Sequence, residues 1–175
     1  MVLLSTVVVT ALYFAGNVLG TPPNGFVSKT LAQGRIAQMD VFSQLVDPPL
    51  AQDPGNNGNV WLSLQKTKGL SDLYVQSSAW QPGGSTGWHS HPGHSLIIVT
   101  AGSVTNYERD DPRCTPHVYT FVPGQPAPTF VHPGGNHPHI VRNEGTVPAS
   151  TIAVQLIPAD TQRRIDTPSP GNCPF

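Results

Sequence analysis

Two histidines one residue apart, His89 and His91, sit in the stretch Gly87-Trp88-His89-Ser90-His91-Pro92-Gly93-His94-Ser95. Alternate residues of an extended strand project to one face, so this spacing turns both imidazoles the same way. Two neutral ring nitrogens so placed can chelate one divalent cation, each at about 2.0–2.1 Å. A further histidine, His139, follows in Pro133-Gly134-Gly135-Asn136-His137-Pro138-His139. All seven histidines of the chain lie between His89 and His139. Histidine used for solubility would be scattered; here it is concentrated, which points to a metal held by His89, His91 and His139. His137 is the candidate fourth ligand, because it shares a strand face with His139, although Pro138 between them suggests a bend and a rim position. His94 follows the Pro92-Gly93 turn and is expected to be exposed. His117 and His132 are expected at the surface or at the mouth of the site.

Both stretches extend into longer motifs. After His89 and His91 comes Gly102; around His139 are a Pro133 and Gly135 turn and, four residues on, Asn143. In this the chain resembles the cupin family over roughly residues 70 to 158, with two separate motifs in the right order. The resemblance implies an all-β fold, a small jelly-roll barrel (a double-stranded β-helix), with a metal inside held by three histidines and one glutamate. This chain departs from the pattern at the acid. The family's glutamate position falls on Ser95, with Leu96 as the one-residue alternative, and the only glutamates are Glu108 and Glu144. Both lie near strand ends, where solvated roles are the simplest reading.

The resemblance therefore implies a three-histidine site. Cupins such as thiol and diketone dioxygenases use iron on three histidines alone. Imidazole suits Fe, Mn, Zn, Ni and Cu to differing degrees, so the divalent metal is not distinguished by the sequence. Two uses stay open. One is non-haem, oxygenase-type catalysis on a small molecule, and the other is a non-catalytic secreted protein that binds a metal or ligand.

Short segments with strand character surround these residues. Leu73, Val75, Ser77 and Ala79 alternate with Tyr74, Gln76, Ser78 and Trp80, the period of a half-buried strand. Pro82-Gly83-Gly84 reads as a turn into Gly87-Trp88-His89. Further strands are expected at residues 26–36, 95–100, 103–108, 116–121, 129–132, 137–143 and 150–157, with turns at Ala101-Gly102, Asp111-Pro112, Pro123-Gly124, Pro133-Gly134 and Glu144-Gly145. Short strands so spaced predict a sandwich or barrel. Trp80 and Trp88 read as core, Trp88 pointing away from the metal. Tyr107, Tyr119 and Phe121 read as core or cavity lining. Arg142 is out of phase with His139 and is expected outside the barrel in an ion pair.

A length of 175 residues fits one domain, and Gly 17 with Pro 19 make it rich in turns. We divide it into a signal peptide or N-terminal anchor (1–20), N-terminal strands and loops (21–70), the barrel (71–160) and a Pro-rich C-terminal tail (161–175). Residues 1–20 carry no charge, and Val18 and Gly20 fit a cleavage site before Thr21. Cleavage predicts a secreted or periplasmic protein with no membrane partner; without it, the segment is long enough for an anchor. The pair Cys114 and Cys173 in an exported chain reads as a disulfide, two free thiols being the alternative. Net charge is −1 and no basic run exceeds Arg163-Arg164, which excludes nucleic-acid binding through phosphate neutralisation. The partner expected is a small molecule, and a homodimer is the one protein assembly left open.

Overall fold

The computed structural model describes residues 20–46 and 60–175. Residues 1–19 of the expected leader and the Pro-, Gly- and Asn-rich stretch 47–59, expected as a loop, lie outside the described residues. Twelve strands follow in order: β1 (Asn24–Ile36), β2 (Asp40–Val46), β3 (Val60–Lys66), β4 (Ser71–Ser85), β5 (His89–Ser90), β6 (Ser95–Ala101), β7 (Ser103–Glu108), β8 (His117–Thr120), β9 (Thr129–His132), β10 (His139–Arg142), β11 (Ala149–Pro158) and β12 (Ile165–Asp166). Ten of them form one antiparallel sheet, in which the run β12-β5-β10-β4-β11-β6-β9 is extended by β1 on β4 and by β7 and β8 beside β10. The sheet curls into a nearly closed barrel, the all-β fold expected. β2 and β3 pair only with each other. No helix among the described residues is long and apolar enough to cross a membrane.

Alternation decides which side chains enter the barrel. Along β6, Ser95, Ile97 and Val99 are buried while Leu96, Ile98 and Thr100 are exposed. The vacant acid position is thus occupied by Ser95, and Leu96 faces out. Inside, Trp80, Ile97, Val99, Val104, Phe130, Val141 and Ala149 form the main core, with Phe26, Tyr119 and Phe121 packed against it. Trp88 is fully buried on the opposite side, in a second cluster with Tyr107, Ile140 and Cys173. Tyr107 therefore lies outside the cavity. Arg142 also lies on this side, paired with Glu144 at 3.2 Å and 3.9 Å above the Phe175 ring.

Two local expectations need correction. The Pro82-Gly83-Gly84 turn is a stretch inside β4, where Gly83 takes φ 76° and the strand continues to Ser85. Its backbone is held on by bonds with Asn143 on the way to β10, so tertiary pairing overrides the local turn signal. β2 and β12 have no counterpart among the expected strands; β2 is defined by its pairing with β3 and β12 by its pairing with β5. Within the tail, β12 pairs with β5, setting Ile165 beside Ser90 and Asp166 beside His89. Cys114 and Cys173 form a disulfide with Cα atoms 5.2 Å apart. Closing 59 residues stabilises the fold by about 4 kcal/mol on the chain-entropy account.

Candidate metal centre

His89 on β5 and His139 on β10 are register partners, and His91 follows one residue beyond the end of β5. One ligating atom of each ring lies within 4.8 Å of the others, and all three residues are buried. The ring centroids are 4.9 Å apart for His89 and His91, 4.4 Å for His89 and His139, and 5.3 Å for His91 and His139.

Each of these rings has its Nδ1 against a backbone carbonyl. His89 reaches Gly87 O at 2.9 Å, His91 reaches Arg163 O at 2.8 Å and His139 reaches His137 O at 3.3 Å. A carbonyl can only accept, so Nδ1 carries the proton in all three, and Nε2 keeps its lone pair. A carbonyl behind Nδ1 is the support that orients a metal-binding histidine. The donor set therefore fits a divalent metal.

Burial pushes the imidazoles of His89 and His139 well below their ordinary 6.5, helped by Arg164 at His89 and by His132 at His139. Burial likewise brings His91 down to about 4. Neutral rings are ready to bind metal without first losing protons. The same shifts have a cost in acid. In the unfolded chain His91 takes up a proton below about pH 6.5, whereas in the folded chain it stays neutral to about 4. Between these values the unfolded state binds more protons, so stability falls as pH falls. Metal-free protein should lose up to about 1.4 kcal/mol per pH unit across that window from His91 alone. Urea unfolding in chelator at pH 7.5, 6 and 5 measures it; a constant midpoint would contradict the buried neutral rings.

The glycine loops of the two motifs cross beside the site. Gly135 N donates to His91 O at 2.7 Å. Gly134 adopts φ 80°, and a Cβ there would overlap the Gly93 carbonyl. Close backbone approach of these loops joins the segments that carry His91 and His139. Asn143, fully buried, closes the turn after β10: its Nδ2 donates to Val147 O and its Oδ1 accepts from Gly145 N.

The remaining histidines divide differently from expectation. His137 is at the rim, its side chain 55% exposed and 3.9 Å from Asp110. His94 is half-buried, near Gln65. His117 is exposed. His132 is a correction: it is 2% exposed and stacks on His139 with centroids 3.4 Å apart and planes 9° off parallel. Phe130 and His132 are the buried residues of β9, in an alternating pattern. The signal was present, since Phe130 turned inward carries His132 with it. Glu108 is not freely solvated either, lying 3.6 Å from His132 Nδ1. Burial pushes its carboxyl up, but His132 and Asn106 outweigh that and hold it below the ordinary range. Glu108, His132 and His139 are a second group with ligating atoms within 4.8 Å.

A cavity of about 80 Å³ adjoins the three histidines. Ser95 lines it and accepts a bond from Gln155 Nε2 at 2.8 Å.

No family model matches the chain, and no curated protein does. Solved structures do. A DMSP lyase is 26% identical, with TM-score 0.43, over 54% of this chain and 44% of that one. DMSP lyase DddQ from Ruegeria pomeroyi DSS-3 is 20% identical, with TM-score 0.44, over 54% of this chain and 43% of its own. A cupin-like protein from Thermotoga maritima is 22% identical, with TM-score 0.43, over 55% of this chain and 65% of its own. Each match spans less than two thirds of the other protein's length. A cupin domain and a cupin-like protein are thus among the solved structures to which the chain is similar.

Proposed function

We propose that the chain binds one divalent metal on His89, His91 and His139 and uses it in oxygenase-type chemistry on a small molecule. The observation that carries this reading is the shared Nδ1-to-carbonyl orientation of three buried rings, which leaves their Nε2 lone pairs for a metal beside a cavity. When bound, the metal supplies Lewis acidity and, if iron, a place for dioxygen. The chain's own part is to hold the three rings neutral and oriented, to brace His139 with the His132 ring, and to limit water to a small cavity. His137, at the rim, is not needed for the set; the positions that three histidines leave open suit substrate or water.

A second reading is a non-catalytic metal- or ligand-binding protein. It is favoured by Ser95, whose hydroxyl is engaged by Gln155 where the family places a metal-binding acid. The disulfide supports export for either. Metal analysis of the purified protein, followed by oxygen uptake with thiols, diketones and phenolics, decides. Iron with substrate-dependent uptake upholds the enzyme, and stoichiometric metal without turnover upholds the binding protein. A metal-free protein that takes up no added metal overturns the metal site and the enzyme with it, leaving ligand binding alone.

A further inference from the structure

One guanidinium fixes two amides in the barrel interior. Arg163 Nη1 donates to Gln76 Oε1 at 2.6 Å and to Gln155 Oε1 at 3.2 Å. Both amide oxygens must face the arginine, so neither amide can be flipped. Gln155 then directs its Nε2 to Ser95 Oγ, which satisfies it. Gln76 directs its Nε2 to nothing: the residue is 3% exposed, it lines the cavity, and this nitrogen has no hydrogen-bond partner. Trp80 Nε1, from another cavity-lining residue, is a second buried donor without a partner. A buried donor left unpaired is costly, so a ligand that accepts from it is favoured.

Charge points the same way. Of the two arginines lining the cavity, Arg164 is paired with Asp166 at 2.6 Å. Arg163 has no carboxylate partner among the described residues, and no Asp or Glu lines the cavity. Three neutral histidines and Ser95 add no negative charge. A divalent metal there would make the deficit larger. The remaining lining sets apolar Phe26, Trp80, Ile97 and Phe130 among the hydroxyls of Ser28, Ser78, Thr86 and Thr151.

We propose that this cavity binds a short-chain carboxylic acid, its carboxylate held by Arg163 and the Gln76 amide and its hydrocarbon end against the aromatic walls. The claim names the ligand class for the site proposed above and rests on that reading for its link to catalysis. At about 10–15 Å³ per water-sized position, a cavity of about 80 Å³ takes a molecule of roughly five to eight heavy atoms.

Isothermal titration with butyrate, 2-oxobutyrate and neutral butyramide tests it, on metal-loaded and on chelator-treated protein. A carboxylate should bind at least about tenfold tighter than butyramide, as loss of a charge-assisted bond implies. Arg163→Gln should remove that preference. Gln76→Glu, nearly isosteric and able to pair with Arg163, should remove it too, so the test survives if one variant fails to fold. Equal affinity for butyrate and butyramide, no binding of either acid at 10 mM, or a preference retained in both variants overturns the anion site. A carboxylate preference in chelator-treated protein upholds it even if metal content overturns the metal reading. Stoichiometric metal without the preference leaves the metal reading standing alone.

Discussion

His139→Ala should reduce bound metal from about one per chain to near zero, because two imidazoles are a poor site for a divalent cation. His139 is the ring that joins the two motifs, paired in register with His89 and stacked under His132. The same loss is expected for His89→Ala and His91→Ala. His137→Ala should leave metal content unchanged, since its side chain stands at the rim beside Asp110. Metal analysis after equilibration with Fe(II), Mn(II) or Zn(II), with circular dichroism to verify folding, reads all four variants. Retention of metal by His139→Ala, or its loss in His137→Ala, contradicts the three-histidine assignment.

Gly134→Ala should be among the most damaging single methyl groups near the site. The added Cβ meets the Gly93 backbone, which has no flexible end to yield, and φ 80° is a conformation that an L side chain resists. Strain of that kind with a backbone overlap costs about 2–4 kcal/mol. Relief requires the two loops to separate, breaking the bond from Gly135 N to His91 O. Lower stability should therefore come with weaker metal binding. Gly124→Ala, with φ 80° but open space around it, separates the strain from the overlap. Denaturant midpoints and metal titration on both variants make the measurement; equal effects would show that the loop contact contributes nothing.

The histidine trio was legible from its spacing, since His89 and His139 are register partners and His91 lies one residue past β5, while period-two alternation makes Ser95 rather than Leu96 the inward residue of β6. His132 was equally accessible to that logic through Phe130, both lying in a strand expected at 129–132, yet its expected place was the surface or the mouth instead of inside. Gly83 and Gly84 misled for the opposite reason: a local turn signal lost to strand pairing on both sides. The roles of Arg163 had no local signature at all. Its carbonyl supports a ring at position 91 and its guanidinium orders amides at 76 and 155, contacts that only the folded barrel brings together.

The support of His91 by Arg163 has a consequence for the order of events during biosynthesis. All three histidines leave the ribosome before residue 163, yet the ring of His91 gains its carbonyl only when β12 docks on β5. A nascent barrel carries an unoriented His91, and its stoichiometric capture of metal waits for the last strand. Pairing that spans such a sequence separation forms late. On the proposed three-histidine reading, metal loading would follow the docking of β12 on β5, and the metal acquired would be the one on offer where that docking is completed.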